Sequence, residues 1–569
     1  MNRVQARLSA LSRPAKAFES QPEPRTIGMM ARGRQLKAGN FQFAGELVEA
    51  PDTSIWDIES PSPSFTADLH GFAWLDDLAA FGDTAACKLA QDWTFEWIER
   101  FGSGKGDGWS PDMTGRRLIR WINHAVLLLN GRTPKESRAY FRVLGRQTRF
   151  LARRWPASAH GLPRFEALTG LIYAGLALEG MARHVDKAIE ALGKECSDRI
   201  DAEGGIRTRN PEELLEVLTL LTWATSALSE AGRKAPSDIL DAIERIAPTL
   251  RALRHTDGGL ARFHGGGRGQ EGWLEMALAS AGVRSGTPER LAMGFARIAS
   301  GRTSLIMDAA PPPSGAASYE AHASTLAFEL TSGRRPVIVN CGSGASFGED
   351  WRRAGRATPS HSTLGLEGYS SSRFSAKGHV QGLARESLED VPRDVRVERG
   401  TGEEGPFVIA GHDGYVVTHG LTHVRRLEMS LDGRGISGED TLAAIKDLHR
   451  RQLDEALSMA KLKGVVFTIR FHMHPDVKAS LDLGGSAVSM TLRSGEVWVF
   501  RHDSAARMTL EPSVYLEKGR LKPRATKQVV LSGAAMDYAT RVRWSLTKAQ
   551  ETPNFVRDLE PAEELAAFN

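Results

Sequence analysis

Two histidines and one asparagine in the second half of the chain are spaced so that they could share one site. His322 lies in SYEAHASTLAFEL, Asn340 in VIVNCG and His361 in SHST. Each adjoins a predicted short strand, where loops commonly position reactive groups. Two imidazoles and an amide oxygen could bind a divalent ion, although asparagine is a weaker ligand than aspartate. The alternative is that both histidines satisfy backbone groups inside a β domain.

A glycine turn followed by two arginines could meet a negatively charged sugar. The stretch EGGIRTRNPEELLE contains Arg207, Arg209 and Asn210 directly before Pro211, where a helix is predicted to begin. The N-terminus of that helix would add positive potential to the two guanidinium groups. Asn210 also has a purely local interpretation as the N-cap of the helix, and both interpretations can hold together.

Aromatic and basic side chains also occur around a second predicted helix. GWSPDMTGRRLIRWINH holds Trp109, which could stack on sugar rings, and Arg116, which could pair with carboxylates or sulfates. The alternative is a core tryptophan at Trp121 beside a solvated arginine face. The stretch HTDGGLARFHGGGRGQ carries His264 and lacks the nucleotide P-loop pattern, so we interpret it as a mobile loop near an active site.

The elements that must position these residues change character near residue 300. Before it, apolar residues recur at helical spacing, with glycine or proline at the ends of each run. The clearest predicted helices are Leu118–Gly131, Phe165–Gly180, Pro211–Gly232 and Pro236–Arg254. After it, short runs such as RPVIVNCG and GVVFTIRFHMH alternate with a period of two, which predicts antiparallel strands. A helical insertion is predicted at Leu442–Lys461, and a cleft is expected where the halves meet.

Composition restricts the class of protein. With 569 residues, two or three domains are expected. The net charge of +4 is too small to favour a polyanionic partner, so nucleic acid is not expected. No apolar run is long enough for a membrane span, and the three cysteines do not form a disulfide framework. The N-terminal residues lack the apolar core of a signal peptide, so a cytoplasmic location is expected, or a periplasmic one if the true start differs.

The combined pattern resembles the heparinase II/III family of polysaccharide lyases. HGFAWLDDLA and the WSP…RRLIRWI segment resemble the family's entry into its toroid. SYEAHASTLAFEL, RPVIVNCGSG and SHSTLGLEG follow, in order and spacing, the family pattern HGHADxLSF, VDPG and HNT. The resemblance covers about Phe72 to Leu546. It implies a multidomain α+β fold, with an N-terminal (α/α) toroid-type helical domain followed by an antiparallel β-sandwich domain.

The domain scheme that follows has four parts. Residues 1–60 form a basic N-terminal arm and irregular lead-in, and 61–300 the toroid-like helical domain. Residues 301–550 form the heparinase II/III-like β-sandwich domain, and 551–569 a C-terminal tail.

The resemblance also implies a chemistry, namely β-elimination of an acidic polysaccharide. A base removes the proton α to a uronate carboxylate, which asparagine, arginine or histidine neutralises, while an acid protonates the leaving oxygen. A divalent metal in a structural role, zinc or calcium, is implied on His322, Asn340 and His361.

This sequence departs from the family pattern at three chemically important positions. Glu320 falls where the family has a catalytic histidine, and Asn340 falls where it has a metal-binding aspartate. The family's catalytic tyrosine has no counterpart in EGGIRTRNPEELLE. Tyr319 and Glu320 could supply a replacement phenol and carboxylate.

We therefore predict a lyase that cleaves acidic, uronate-containing poly- or oligosaccharides. The predicted catalytic residues are Asn210, Tyr319, Glu320 and His322. The predicted substrate-binding residues are Trp109, Arg116, Arg207, Arg209 and His264. The alternative hypothesis is a catalytically degenerate glycan-binding or scaffold protein with the same fold. The substitutions at Glu320 and Asn340 and the missing tyrosine favour that alternative. The sequence does not predict the oligomeric state.

Overall fold

The computed structural model describes residues 1–9, 14–20, 23–284, 286, 290–376, 378–380, 383–461 and 463–549. The predicted tail, 551–569, therefore lies outside the described residues. Helices occupy the first half of the described chain and antiparallel strands the second, which confirms the predicted fold class. No helix among the described residues combines the length and the apolar character needed to cross a bilayer.

The helical domain consists of helices of 5 to 21 residues. Its helices are α1 (Asn2–Ser9), α2 (Met30–Lys37), α3 (Pro63–Gly71), α4 (Ala73–Phe81), α5 (Thr84–Phe101), α6 (Pro111–Asn123), α7 (Ala125–Leu129), α8 (Pro134–Arg154), α9 (Leu162–Ala177), α10 (Val185–Arg199), α11 (Pro211–Glu230), α12 (Ser237–Ala252) and α13 (Trp273–Ala281).

The first sixty residues, predicted as an irregular lead-in, contain α1, α2 and a two-stranded hairpin. Helix α2 packs closely on α4, because a Cβ atom on Gly33 would lie 2.3 Å from the carbonyl oxygen of Asp77. Leu36, Phe41 and Phe43 are buried in the core of the helical domain. Because basic residues dominate the composition of this segment, the sequence did not predict that its apolar residues pack in the core.

Helices α6, α9 and α11 position the polar residues on the helical side of the candidate site. Ser110 caps α6 and Asn210 caps α11, each followed by a proline in the first turn. Helices α6 and α9 cross at two glycines, because a Cβ atom on Gly170 would lie 2.4 Å from Cα of Gly115. This close contact brings the polar faces of the two helices side by side.

The described strands follow the helical domain, except for the first two. They are β1 (Asn40–Phe43), β2 (Glu46–Glu49), β3 (Phe295–Ser300), β4 (Thr303–Asp308), β5 (Phe328–Ser332), β6 (Arg335–Val339), β7 (Leu364–Leu366), β8 (Arg373–Phe374), β9 (Gly378–Val380), β10 (Leu383–Arg385), β11 (Leu388–Glu389), β12 (Val395–Thr401), β13 (Pro406–Tyr415), β14 (Leu421–Met429), β15 (Gly435–Ala443), β16 (Val465–Met473), β17 (Lys478–Asp482), β18 (Ala487–Thr491), β19 (Val497–His502), β20 (Arg507–Tyr515), β21 (Arg524–Ala535) and β22 (Ala539–Lys548).

Two large antiparallel sheets pack face to face. One has the order β12-β13-β14-β15-β22-β19-β18-β17, and the other β20-β21-β16-β6-β5-β4-β3, with β7 beside β16. Aromatic rings from both sheets meet in the core between them. The Trp544 ring lies 5.9 Å from that of Phe328 and 4.7 Å from that of Phe471. Alternation of buried and more exposed residues along strands such as β13 and β14 contributes to this layer, whereas β4 and β5 are buried along their whole length.

Three further helices lie among the strands: α14 (Glu349–Arg356), α15 (Val416–His419) and α16 (Asp447–Met459). Helix α16 is the predicted insertion, but it begins five residues later than expected, after Leu442 and Ala443 have paired with β22. Helix α14 precedes the His361 loop and therefore helps to position the candidate site.

Candidate functional site at the junction of the two domains

A chain of polar contacts joins three histidines where the glycine loop of the helical domain meets the segment before β5. Nε2 of His322 accepts a hydrogen bond from the backbone N–H of Gly265 at 3.1 Å, and its Nδ1 lies 3.1 Å from Nε2 of His361. The backbone N–H of His322 donates to Nδ1 of His264 at 3.2 Å, and His264 Nε2 lies 3.4 Å from Asp308 Oδ2. The structure thus groups His264, His322 and His361.

Burial keeps these imidazoles neutral. It lowers the pKa of His322 well below its usual value, and that of His361 to about 4. Burial alone would raise the pKa of Asp308, but the neighbouring Arg209 guanidinium and His264 hold it well below its usual range. Asp308 is therefore the charged acceptor at one end of a neutral histidine cluster.

Two buried arginines fix the loops that carry these histidines. Arg356 ends α14, and Arg425 lies on β14, where it pairs with Asp440 at 2.8 Å. Together the two guanidinium groups donate to backbone carbonyl groups on both histidine loops at 2.8–2.9 Å: Ser318, Ala321, Leu326 and Ser362. The loops that carry His322 and His361 are therefore held in place by residues of the β domain.

Asn340 lies directly after β6 and contacts the His361 loop. Its Oδ1 accepts a hydrogen bond from the backbone N–H of Ser362 at 2.9 Å, while its Nδ2 is buried without a hydrogen-bond partner. Metal ligands must present a lone pair, and the free atom of this amide is a donor. The described residues contain no group of three or more His, Cys, Asp or Glu side chains arranged to hold a metal ion. The two histidines fit the implied metal, but Asn340 does not.

Glu320 is partly exposed and lies beside this cluster, at the junction of the two domains that is hereafter called the cleft. Its carboxylate pairs with the guanidinium group of Arg385 and lies 3.8 Å from that of Arg352. A Cβ atom on Gly265 would lie 3.0 Å from Cβ of Glu320 and 3.8 Å from Nδ2 of Asn210. The glycine loop therefore passes between these two predicted catalytic residues, and the structure brings them together.

The hydrogen bonds of Asn210 are local, whereas Tyr319 is held by an arginine of α14. Oδ1 of Asn210 accepts from the backbone N–H groups of Glu212 and Glu213 at 3.0 and 3.2 Å, which is an N-cap geometry. Tyr319 is half-buried, and its carbonyl accepts from Arg352 at 3.1 Å. Asn210 is thus held at the cleft by its capping role.

Carboxylates outnumber cations on the helical wall of the cleft. Arg116 lies 3.3–3.8 Å from three carboxylate groups, and Lys518, which follows β20, pairs with Glu212 at 2.8 Å. The glycine loop reaches the same place, because the backbone N–H of Gly267 donates to Glu212 at 2.9 Å. The carboxyl groups around these two cations are Asp68, Asp112, Glu166, Glu212 and Glu216, and Glu213 lies beside Glu216. These six groups are hereafter called the acidic wall.

Two members of the acidic wall are partly neutral near physiological pH. Burial raises the pKa of Glu166 to about 7 and that of Glu216 to about 8, although Arg116 and Lys518 respectively oppose these shifts. A carboxyl group that keeps its proton can donate a hydrogen bond to a sugar hydroxyl or a proton to a leaving group. The wall therefore presents donors as well as acceptors.

The remaining predicted substrate-binding residues lie elsewhere. Trp109 is only 2% exposed, and its indole N–H donates to the carbonyl of Phe101, so it belongs to the core of the helical domain. Arg209 is buried and its guanidinium group binds Asp308 at 2.6 Å. Arg207 is exposed and lines a separate cavity of about 890 Å³. The cleft therefore retains only Arg116 from this set beside His264.

Comparisons with known proteins agree with this architecture. Residues 284–545 match the family model described as heparinase II/III-like, C-terminal. FtsZ-localized protein C of Caulobacter vibrioides (strain NA1000 / CB15N) is 30% identical over 551 residues, covering 95% of this chain and 92% of that protein. The chain belongs to the heparinase II/III-like family.

Solved structures extend the match to both domains. A heparinase III crystal structure aligns with a TM-score of 0.66 at 14% identity, over 96% of this chain and 89% of that one. A mutant of heparan sulfate lyase HepC from Pedobacter heparinus gives 0.60 at 14% identity, over 97% and 88%. At this identity the likeness establishes the fold alone, that of an α/α toroid followed by a β-sandwich.

Several cleft residues were not among the sequence predictions. They are Glu166, Glu212, Glu216, Arg385 and Lys518. The only available signal was the spacing of Glu212 and Glu216, one helical turn apart in PEELLE. Nothing in the sequence indicates that Lys518 meets that turn, because the contact joins residues 306 positions apart.

Proposed function

We propose that this protein is a glycan-binding member of the heparinase II/III-like family that has lost uronate β-elimination and works at the bacterial division site. The glycan we propose is neutral or carries amino groups. The acidic wall of the cleft is the observation that carries this proposal.

The acidic wall disfavours an anionic glycan. The wall contains six carboxyl groups, of which Glu166 and Glu216 are partly protonated, and two cations, Arg116 and Lys518, that are already paired with members of the wall. Two like charges 4 Å apart repel by about 1 kcal/mol in water and about 4 kcal/mol near a protein surface. A uronate carboxylate would meet this repulsion, whereas a sugar hydroxyl or ammonium group would find acceptors.

The positions that match the family's catalytic residues also support the proposal. Glu320 replaces a histidine, and its carboxylate is neutralised by Arg385. Glu213 and its neighbours on α11 supply no tyrosine. Asn210 retains an amide, but its oxygen is committed to capping α11. Uronate elimination needs a base and a group that neutralises the carboxylate, and these residues do not supply that pair together.

The division-site part of the proposal rests on the relative in Caulobacter vibrioides. That protein is named for its localisation with FtsZ, and the match extends over 92% of its length. The shared length includes both the cleft and the β domain, so we extend the same setting to this chain.

Lyase activity is tested with the purified full-length chain and a panel of polysaccharides that includes heparan sulfate. The ultraviolet absorbance of unsaturated uronate should not increase above a protein-free control. Sustained product formation that is lost in Glu320→Ala would overturn the loss of catalysis and support the lyase hypothesis.

Glycan preference is tested by titration calorimetry with neutral, amino-bearing and uronate-bearing oligosaccharides. We expect the first two classes to bind and the third not to bind. Glu216→Ala should weaken binding about tenfold, which corresponds to one lost hydrogen bond to a partly buried group. Glu190→Ala, on the exposed face of α10, is the matched control and should bind like wild type. Preference for heparan sulfate would contradict the proposal.

The division-site setting has an independent test. Purified FtsZ polymers should sediment this chain in the presence of GTP, and unpolymerised FtsZ should not retain it. A fluorescent fusion that stays dispersed in dividing cells of the source bacterium would exclude this part of the proposal while leaving glycan binding intact.

A further inference from the structure

The histidine pair His322–His361 is satisfied by protein atoms alone. Nδ1 of His361 lies 2.9 Å from the carbonyl oxygen of Ala357, which can only accept, so this nitrogen carries the proton. In the neutral ring, Nε2 of His361 is then an acceptor for Nδ1–H of His322. That leaves Nε2 of His322 as an acceptor, and Gly265 N–H donates to it. Backbone groups at both ends therefore fix the two tautomers.

The orientation of the Asn340 amide is fixed in the same way. Its oxygen faces the backbone N–H of Ser362 at 2.9 Å, the residue that follows His361. A flipped amide would place its NH2 group against that N–H, two donors facing each other, so the oxygen stays in place. The remaining atom, Nδ2, is a buried donor without a partner, and it has no lone pair for a cation.

We infer that this chain keeps two histidines of a metal site as a metal-independent hydrogen-bonded pair, and that Asn340 alone prevents zinc binding there. An aspartate at position 340 would keep one oxygen on the Ser362 N–H and would place a second oxygen, with lone pairs, where the unpartnered Nδ2 now lies. Two imidazoles and one carboxylate at about 2.0–2.2 Å form a common zinc ligand set. This inference does not rest on the proposed function.

The experiment compares full-length wild type, Asn340→Asp and Asn340→Ala. Each is loaded with zinc, freed of excess by gel filtration and analysed for metal content. We expect roughly one equivalent of zinc per chain in Asn340→Asp, because the new carboxylate completes a three-ligand site with the two histidines. Wild type and Asn340→Ala should each retain less than about a tenth of an equivalent. The double variant Asn340→Asp/His322→Ala should lose the zinc again.

Two further measurements test the inference, and the first does not depend on the folding of Asn340→Asp. The thermal midpoint of wild type should be the same with a chelator or with added zinc. Cobalt(II), used as a coloured substitute for zinc, should give visible absorption bands with Asn340→Asp only. Stoichiometric zinc in wild type that disappears in His322→Ala would overturn the inference. So would a folded Asn340→Asp protein that binds no zinc.

Discussion

At the scale of single residues, Arg209 joins the helical domain to the β domain. Its guanidinium group binds Asp308 on β4 at 2.6 Å and donates to the carbonyl groups of Met293, Gly294 and Pro311 at 2.9–3.0 Å. A buried arginine with its donors satisfied by protein atoms has little left for a substrate. Two positions earlier, Arg207 is exposed to solvent, so the two arginines of this turn lie in opposite environments.

Arg209→Ala should therefore destabilise the protein by about 3–5 kcal/mol, because it leaves the buried Asp308 carboxylate without its cation. The midpoint of chemical denaturation measures this loss. Arg207→Ala is the matched control, and we expect it to stay within about 0.5 kcal/mol of wild type. Equal midpoints for the two variants would show that the contacts of Arg209 contribute no net stability.

The sequence located part of the site, and the reason is visible in individual residues. The order of SYEAHASTLAFEL, RPVIVNCGSG and SHSTLGLEG resembles the family pattern, and that resemblance, rather than strand alternation, suggested the grouping of His322, Asn340 and His361. Trp109 could not be assigned, because an indole that stacks on sugar and one that packs in a core look the same in sequence. The Glu212–Lys518 contact depends on how the two domains meet, which no local pattern encodes.

At the scale of elements, helix existence was predicted better than helix ends. The predicted helix Pro211–Gly232 is observed as Pro211–Glu230, because proline and a capping asparagine mark its start. The predicted helix Leu118–Gly131 is instead two helices, α6 and α7, which separate at His124. The Nε2 atom of His124 lies 2.8 Å from Oδ1 of Asp76 on α4. The spacing of apolar residues in the sequence does not predict this tertiary contact at the break.

Substitutions of Asn210 measure how much its N-cap contributes to the stability of α11. Asn210→Ala should destabilise α11 by about 1 kcal/mol, because the N–H groups of Glu212 and Glu213 lose their acceptor. Asn210→Asp should retain wild-type stability, since aspartate caps equally well. Thermal unfolding of both variants measures the difference. If Asn210→Asp loses as much stability as Asn210→Ala, the amide nitrogen rather than the capping oxygen is the important group.

At the scale of the whole molecule, the two domains meet across polar groups as well as apolar ones. Lys518 of the β domain pairs with Glu212 of the helical domain, and His255 lies 3.3 Å from Glu329 on β5. The acidic wall lies on the helical side of this junction. Protonation of its carboxyl groups therefore changes both the charge of the cleft and the free energy of unfolding. Two of its groups change charge within the physiological pH range.

The contribution of Glu166 and Glu216 to the stability of the protein should therefore fall as the pH rises from about 5 to about 8. Burial raises the pKa of Glu166 to about 7 and that of Glu216 to about 8, from an ordinary value of 4.5. Between these values the two carboxyl groups hold more protons in the folded state than in the unfolded chain, so their contribution to the slope of unfolding free energy against pH is negative. Above the folded-state pKa the stabilising proton is lost.

Glu216→Gln removes one of these titrations and should flatten the slope. Relative to wild type, the variant should gain on the order of 1–2 kcal/mol between pH 5 and pH 8.5, a reduced figure because the group is partly exposed to solvent. Denaturation curves at several pH values measure this gain, with Glu190→Gln on the exposed face of α10 as control. Parallel slopes for all three proteins would mean that Glu216 titrates with an ordinary pKa. The acidic wall would then carry one more negative charge at neutral pH. That charge would make the cleft still less suited to a uronate.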